Sequence, residues 1–196
     1  MGLTTALRLL QNGYQVSIVA RHLPADRDID YTSPWAGAHY RPIPDTDPIT
    51  RYETDLARMS YDVFKAIAST DISSSVKVIE GIEYFDNPSD AYLKLKGRYS
   101  DIDDFRVLKH SELPPGVKFG TTYKTWSLNS PVYLAWLELQ LVLGGVQFVQ
   151  QSLTCLVEAF SILNDIDARI LINCSGVGFS DPNVYPTRGI IIIMSF

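Results

Sequence analysis

The chain has 196 residues and a formal net charge of -5, long enough for one domain or one and a half around a substantial core. The acidic balance leaves no basic stripe for nucleic acid, no apolar run reaches the ~18 residues that span a bilayer, and no basic-then-apolar leader opens the chain. The two cysteines, Cys155 and Cys174, stand among apolar neighbours, which predicts buried free thiols in a reducing, intracellular compartment rather than a disulfide or a metal site.

The opening stretch predicts a helix followed at once by a buried strand. Leu3, Ala6, Leu7 and Leu10 share one helical face, and Gly13 stands at the C-terminal stop. Val16-Ser17-Ile18-Val19-Ala20 is β-branched and nearly all apolar, as a strand enclosed in a parallel sheet should be. A helix feeding a parallel strand normally follows another strand. In a dinucleotide fold the turn between them is a Gly-rich phosphate cradle, and Gly2 falls where its third glycine would stand. That places the first strand and two glycines upstream of Met1; otherwise Gly2 is simply part of an amphipathic helix.

The predicted strand ends on Arg21 and His22, where many such folds carry an acid for the ribose. These side chains could face an adenosine or phosphate, or form a solvated pair. From 26 to 47 the chain has turn chemistry. Within it Ser33-Pro34-Trp35-Ala36-Gly37-Ala38-His39-Tyr40 either admits a flat ring or phosphate to the backbone or packs its aromatics into a core.

Asp47 and Pro48 then open a long helix, with Tyr52, Leu56, Met59, Val63 and Ile67 as its expected apolar face. One or two strands follow over 76–85, closed by Asn87-Pro88, and Asp101, Asp103 and Asp104 read as a solvated acidic turn rather than a calcium loop. A strand over 117–128 leads to a helix capped by Ser130, with Leu134, Leu137, Leu141 and Val142 on its face and Gly144-Gly145 as its stop. Strands over 146–149 and 169–173 complete the pattern of half a doubly wound sheet. Its ligands would lie beyond the strands' carboxyl ends, near Ser175 and Gly176.

Ser33-Pro34-Trp35-Ala36-Gly37-Ala38, set after the Gly2-Leu3-Thr4-Thr5-Ala6-Leu7 helix and the Ala20-Arg21-His22-Leu23-Pro24 strand end, resembles the fungal members of the D-amino-acid oxidase family. So do Ile172-Asn173-Cys174-Ser175-Gly176 and Tyr185-Pro186-Thr187-Arg188-Gly189, in the same order along the chain. The resemblance implies an α/β fold: a partial doubly wound, glutathione-reductase-type FAD-binding sheet with part of an inserted α+β substrate domain. Residues 1–75 would then be the first part of the FAD domain, 76–128 part of the substrate domain, and 129–196 the second part of the FAD domain.

It further implies oxidation of a D-amino acid to an imino acid and then a keto acid, with dioxygen taking the electrons to give hydrogen peroxide. The flavin does the electron transfer, so the protein need only bind, aim and tune it. Carried over residue by residue, Gly2 would serve the pyrophosphate turn and Arg21 and His22 the adenosine end. Thr32, Ser33, Ala36, Gly37, Ala38 and His39 would line the pyrophosphate and flavin, Leu153 the adenine, and Ser175 and Gly176 the floor. His22 departs from the family's acidic or neutral residue at that position and puts the ribose contact in question.

The family's substrate-gripping arginine and framing tyrosines follow the Pro-x-Arg-Gly stretch, so no catalytic residue and no metal ligand is assigned among these positions. His39 and Tyr40 are explained by packing, since hydride transfer needs no base. The expected partners are a D-amino acid and dioxygen, with neither nucleic acid nor membrane, and with homodimerisation open. The expected setting is cytoplasmic or peroxisomal, although Met194-Ser195-Phe196 is not a peroxisomal signal. The uncharged run Ile190-Ile191-Ile192-Ile193-Met194 and a sheet truncated at both ends predict poor solubility or weak FAD retention for the isolated chain. A nucleotide-binding fragment without turnover and a nicotinamide-linked dehydrogenase are the competing readings; the second gives the Ser-Pro-Trp-Ala-Gly-Ala loop no role.

Overall fold

The computed structural model describes residues 1–163, 169–176 and 179. In chain order the elements are α1 (Gly2–Gln11), β1 (Ser17–Ala20), α2 (Pro48–Thr70), β2 (Lys77–Phe85), α3 (Asp90–Leu93), β3 (Arg106–Val107), β4 (Phe119–Ser127), α4 (Ser130–Leu143), β5 (Gln147–Gln150) and α5 (Glu158–Ile162). The chain divides into two compact units, Met1–Ala36 with Leu134–Phe196, and Gly37–Tyr133. The expected return at 185–189 and the strand at 190–194 lie outside the described residues.

In the first unit the apolar face of α1 does what its spacing predicts. Ala6 is buried with Leu141 and Val146, and Leu3, Leu7, Leu10, Val16, Ile18 and Phe148 pack against them. Helices α1 and α4 end by the same device. Gly13 and Gly145 take φ of +83° and +81°, and the next amide reaches back to the Leu9 carbonyl at 3.2 Å and to the Leu141 carbonyl at 3.0 Å. Only glycine turns left-handed there without a Cβ clash.

Each helix thus delivers the chain into a strand, and β1 pairs parallel with β5, Ser17 opposite Gln147 through Ala20 opposite Gln150. This parallel pairing is what the helix-then-strand order predicts. β1 is half-buried rather than enclosed on both faces, because its described sheet has two strands and a strand flanked on one side only stays open on the other. The strand expected over 169–173 is not formed; those residues are irregular and mostly exposed. A strand exists by its ladder, and no described strand pairs with this segment. Cys155 and Cys174 are free thiols but exposed, not buried. The first lies in a bend ahead of α5 and the second in the irregular segment, so apolar neighbours in sequence did not become a core around either.

The second unit is built on a three-stranded antiparallel sheet in the order β2-β4-β3. β2 is one continuous strand, paired from Lys77 opposite Ser127 to Phe85 opposite Phe119. On the other edge of β4, past the short β3, residues 38–40 continue the sheet. His39 bridges Ser127, Ala38 and Leu128 exchange backbone hydrogen bonds at 3.3 and 3.0 Å, and the Tyr40 amide donates to the Trp126 carbonyl at 3.2 Å.

α2 covers one face of this sheet. Asp47 caps it as expected, accepting from the Ile49 and Thr50 amides while Thr50 answers the Asp47 amide. The stripe that packs, however, is not the expected one. Tyr61 is buried and donates to the Lys124 carbonyl at 3.2 Å, and the Phe64 ring stacks 4.2 Å from Trp126. Tyr52, Leu56, Met59 and Val63 are exposed. Two apolar stripes share helical spacing in α2, and the one carrying Tyr61 and Phe64 lies on Trp126. For α4 the cap is Asn129 rather than Ser130: the Asn129 Oδ1 accepts from the Val132 amide at 3.4 Å. Leu137 and Leu141 of its face are buried, whereas Val142 is exposed. The acidic turn is ion-paired, with Asp101 on Arg98 and Asp103 on Lys65.

Candidate functional site: a helix start, a strand tip and a sheet face

The first unit brings the sequence-nominated residues together at two places. One is the start of α1. Its N-cap position is Met1, which makes no side-chain cap bond, and a helix N-terminus favours anionic groups. A Cβ on Gly2 would stand 3.3 Å from the Cys174 Cβ, so the helix start lies against the Asn173-Cys174-Ser175-Gly176 stretch. That stretch turns on itself: the Ser175 amide donates to Asn173 Oδ1 at 3.0 Å, and Gly176 takes φ of +73°. A helix N-terminus, a glycine in close contact and a small-residue turn beside it suit an anionic diphosphate.

The other place is the carboxyl end of β1 and β5. Arg21 Nε donates to His22 Nε2 at 2.8 Å, and the His22 ring stacks 5.7 Å from Tyr31. Acids absent from the strand tip return from the following loop. The Asp26 and Asp28 carboxylates stand 3.7 and 3.9 Å from His22, and Asp30 lies 3.6 Å from Arg21. Gln150, at the end of β5, donates to Asp26 Oδ2 at 2.8 Å, and half-buried Leu153 follows three residues later. Nothing local in the sequence shows that Asp26 curls back to the strand tip, where it accepts from the Leu23 amide at 2.9 Å.

Thr32 and Ser33 belong to the same unit, at the start of a short 3-10 turn, Ser33–Trp35, and Ala36 closes it. Trp35 is tied down by its indole N–H, 3.2 Å from the Asp28 carbonyl. Gly37, Ala38 and His39 belong to the second unit, where Ala38 and His39 lie on the edge of β4. Tyr40 is buried between Tyr61 at 5.0 Å and Trp126 at 6.5 Å, which accounts for it by packing alone.

The second unit also holds a group of polar residues that the sequence reading passed over. Mostly odd-numbered positions of residues 38–41, β4 and β2, together with Ile82 and Tyr84, line a cleft of about 320 Å3, with Arg41 and Glu83 among its walls. Glu83 receives Arg41 Nε at 3.0 Å and the Tyr99 hydroxyl at 3.0 Å. Burial raises the Glu83 carboxyl above its ordinary range, partly offset by the Tyr99 hydrogen bond and the Arg41 charge. Burial also raises the Tyr99 and Tyr123 phenols, so both stay protonated donors. The signal was a single acid at an inward position of β2, between Ile79, Gly81 and Phe85. Among the described residues no group of histidine, cysteine and acidic side chains could hold a metal ion, and no helix is long and apolar enough to cross a membrane.

Known proteins share this architecture. The family described as FAD dependent oxidoreductase matches residues 1–195. The chain belongs to that family. It is 35% identical to the D-aspartate oxidase of Talaromyces thermophilus over 99% of this chain and 59% of that protein. It is 29% identical to the D-amino-acid oxidase of Schizosaccharomyces pombe over 99% of this chain and 56% of that protein. The chain thus spans somewhat more than half the length of these relatives. In fold it is similar to the L-amino acid deaminase of Proteus myxofaciens, with a TM-score of 0.57 and 14% identity over 75% of this chain and 35% of that one.

Proposed function

We propose that this chain serves the FAD-dependent oxidation of D-amino acids, to imino and then keto acids with release of ammonia and hydrogen peroxide. The first unit would supply contacts to the cofactor. Bound FAD would supply the electron transfer itself. The chain's own part is binding and orientation. The first-turn amides of α1 beside Gly2 would hold the diphosphate, with Ser175 and Gly176 alongside. The loop acids beside Arg21 and His22 would meet the ribose, Leu153 would pack on the adenine, and Thr32, Ser33, Ala36, Gly37, Ala38 and His39 would line the pyrophosphate and flavin.

The observation that supports this most is the start of α1 held against Cys174 through a glycine. The test is peroxide release from the FAD-loaded protein with D-aspartate or D-alanine, with the L-enantiomers as controls. Peroxide from the D-forms alone is the expected result. Flavin bound without peroxide from any D-amino acid would leave a nucleotide-binding chain without turnover.

A further inference from the structure

The open face of the three-stranded sheet is asymmetric in a way that suits one kind of ligand. α2 takes the even-numbered face, through Tyr61 and Phe64 on Trp126. Mostly odd-numbered positions, His39, Arg41, Gly81, Glu83, Tyr123 and Thr125 among them, line the cleft of about 320 Å3. Gly81 permits its shape: a Cβ there would stand 2.7 Å from Tyr123 Cε2, so the phenol ring lies over a strand position without a side chain.

Within the cleft the acid and the base are not equivalent. The Glu83 side chain is 10% exposed and that of Arg41 is 51% exposed. Both Glu83 oxygens are engaged, Oε1 by Arg41 Nε at 3.0 Å and Oε2 by the Tyr99 hydroxyl at 3.0 Å. Thr121 Oγ1 in turn lies 2.8 Å from that hydroxyl. Tyr123 also hydrogen-bonds Glu83, so the buried carboxylate serves as the anchor of this cluster. A guanidinium carries more N–H groups than this anchor uses; beyond Glu83, Arg41 reaches only the Tyr92 hydroxyl among the described residues, at a long 3.4 Å. Arg41 is thus a half-exposed, orientated fork at a cleft of mixed polar and apolar lining. Planar, charge-assisted pairing with a carboxylate is what such a fork does best.

We propose that this cleft is a carboxylate subsite in which Arg41, positioned by Glu83, selects D-amino acids bearing an acidic side chain; the assignment rests on the D-amino-acid reading above and narrows it. Arg41 is the specificity-determining residue and Glu83 a positioning residue that never touches the ligand.

The test compares D-aspartate with D-2-aminobutyrate, which replaces the side-chain carboxylate by a methyl group, in direct binding to the full chain by titration calorimetry at fixed ionic strength. The wild type is expected to prefer D-aspartate by about tenfold or more. Arg41→Met should bring the two ligands to near parity, and Arg41→Lys should keep part of the preference. Glu83→Gln should erode it without loss of the near-ultraviolet dichroism of the fold. Should Arg41→Met fail to fold because Glu83 is stranded, the double variant Arg41→Met with Glu83→Gln removes both charges and gives the same comparison. A wild type without preference, or a preference that survives removal of Arg41, overturns the proposal. Binding is read without flavin or turnover. Absence of peroxide would therefore fall on the oxidase reading, and absence of the preference on the subsite.

Discussion

At the scale of single residues, Glu83 and Asp101 show how the same functional group acquires opposite pH behaviour. Burial raises the Glu83 carboxyl, so the folded chain holds its proton to higher pH than the unfolded chain does. Its contribution is fully present below the ordinary glutamate value and is lost as pH rises through the raised folded value. Glu83→Gln should therefore gain stability relative to wild type as pH rises through that window in urea denaturation; a pH-independent difference would contradict the assignment. Asp101 is held below the usual carboxylate range by the Arg98 hydrogen bonds and the Arg58 charge. Its share is present above the ordinary aspartate value and is lost on acidification.

Gly81 offers a test where two effects oppose. Replacing a strand glycine ordinarily gains about 0.5–1 kcal/mol from the unfolded chain. Here a Cβ would meet Tyr123 Cε2 at 2.7 Å, and overpacking of that kind costs about 1–3 kcal/mol. Gly81→Val is expected to be net destabilising by denaturant titration, and a stabilised variant would show that the ring does not lie there.

At the scale of elements, α2 separates what the sequence discloses from what it does not. Its start was legible because Asp47 and Pro48 carry the capping chemistry in themselves. Its packed face was not legible, because helical spacing is satisfied equally by the Tyr52 stripe and by the stripe of Tyr61 and Phe64. Only the position of Trp126, more than fifty residues away in sequence, decides between them. The strand expected over 169–173 failed for a similar reason: composition can favour extended chain, but the ladder is supplied from elsewhere.

α1 and α4 were read more fully, because glycine stops and apolar spacing are local. Their shared core makes a direct prediction. Leu141 is fully buried beside Ala6 and Val146, so Leu141→Ala should cost about 2–5 kcal/mol by chemical denaturation. A loss well under 1 kcal/mol would mean that α1 and α4 do not close on each other as described.

At the scale of the whole molecule, the parallel sense of β1 followed from the order of helix and strand, since parallel neighbours require a crossover; its partner β5 did not. The proposed cofactor contacts rest on resemblance carried over position by position. The Arg41–Glu83 cleft did not follow, because β2, β4 and residues 38–41 are far apart in sequence and meet only in the folded sheet.

The account depends above all on an adenine dinucleotide seated at the start of α1. The most direct measurement is titration of FAD with the chain, followed by quenching of flavin fluorescence, for wild type and Gly2→Val, with NAD+ as competitor. Saturable quenching that excess NAD+ does not reverse, and that Gly2→Val weakens by about tenfold or more, is the predicted result. A folded chain that leaves FAD fluorescence unchanged, or that exchanges FAD for NAD+, would contradict it.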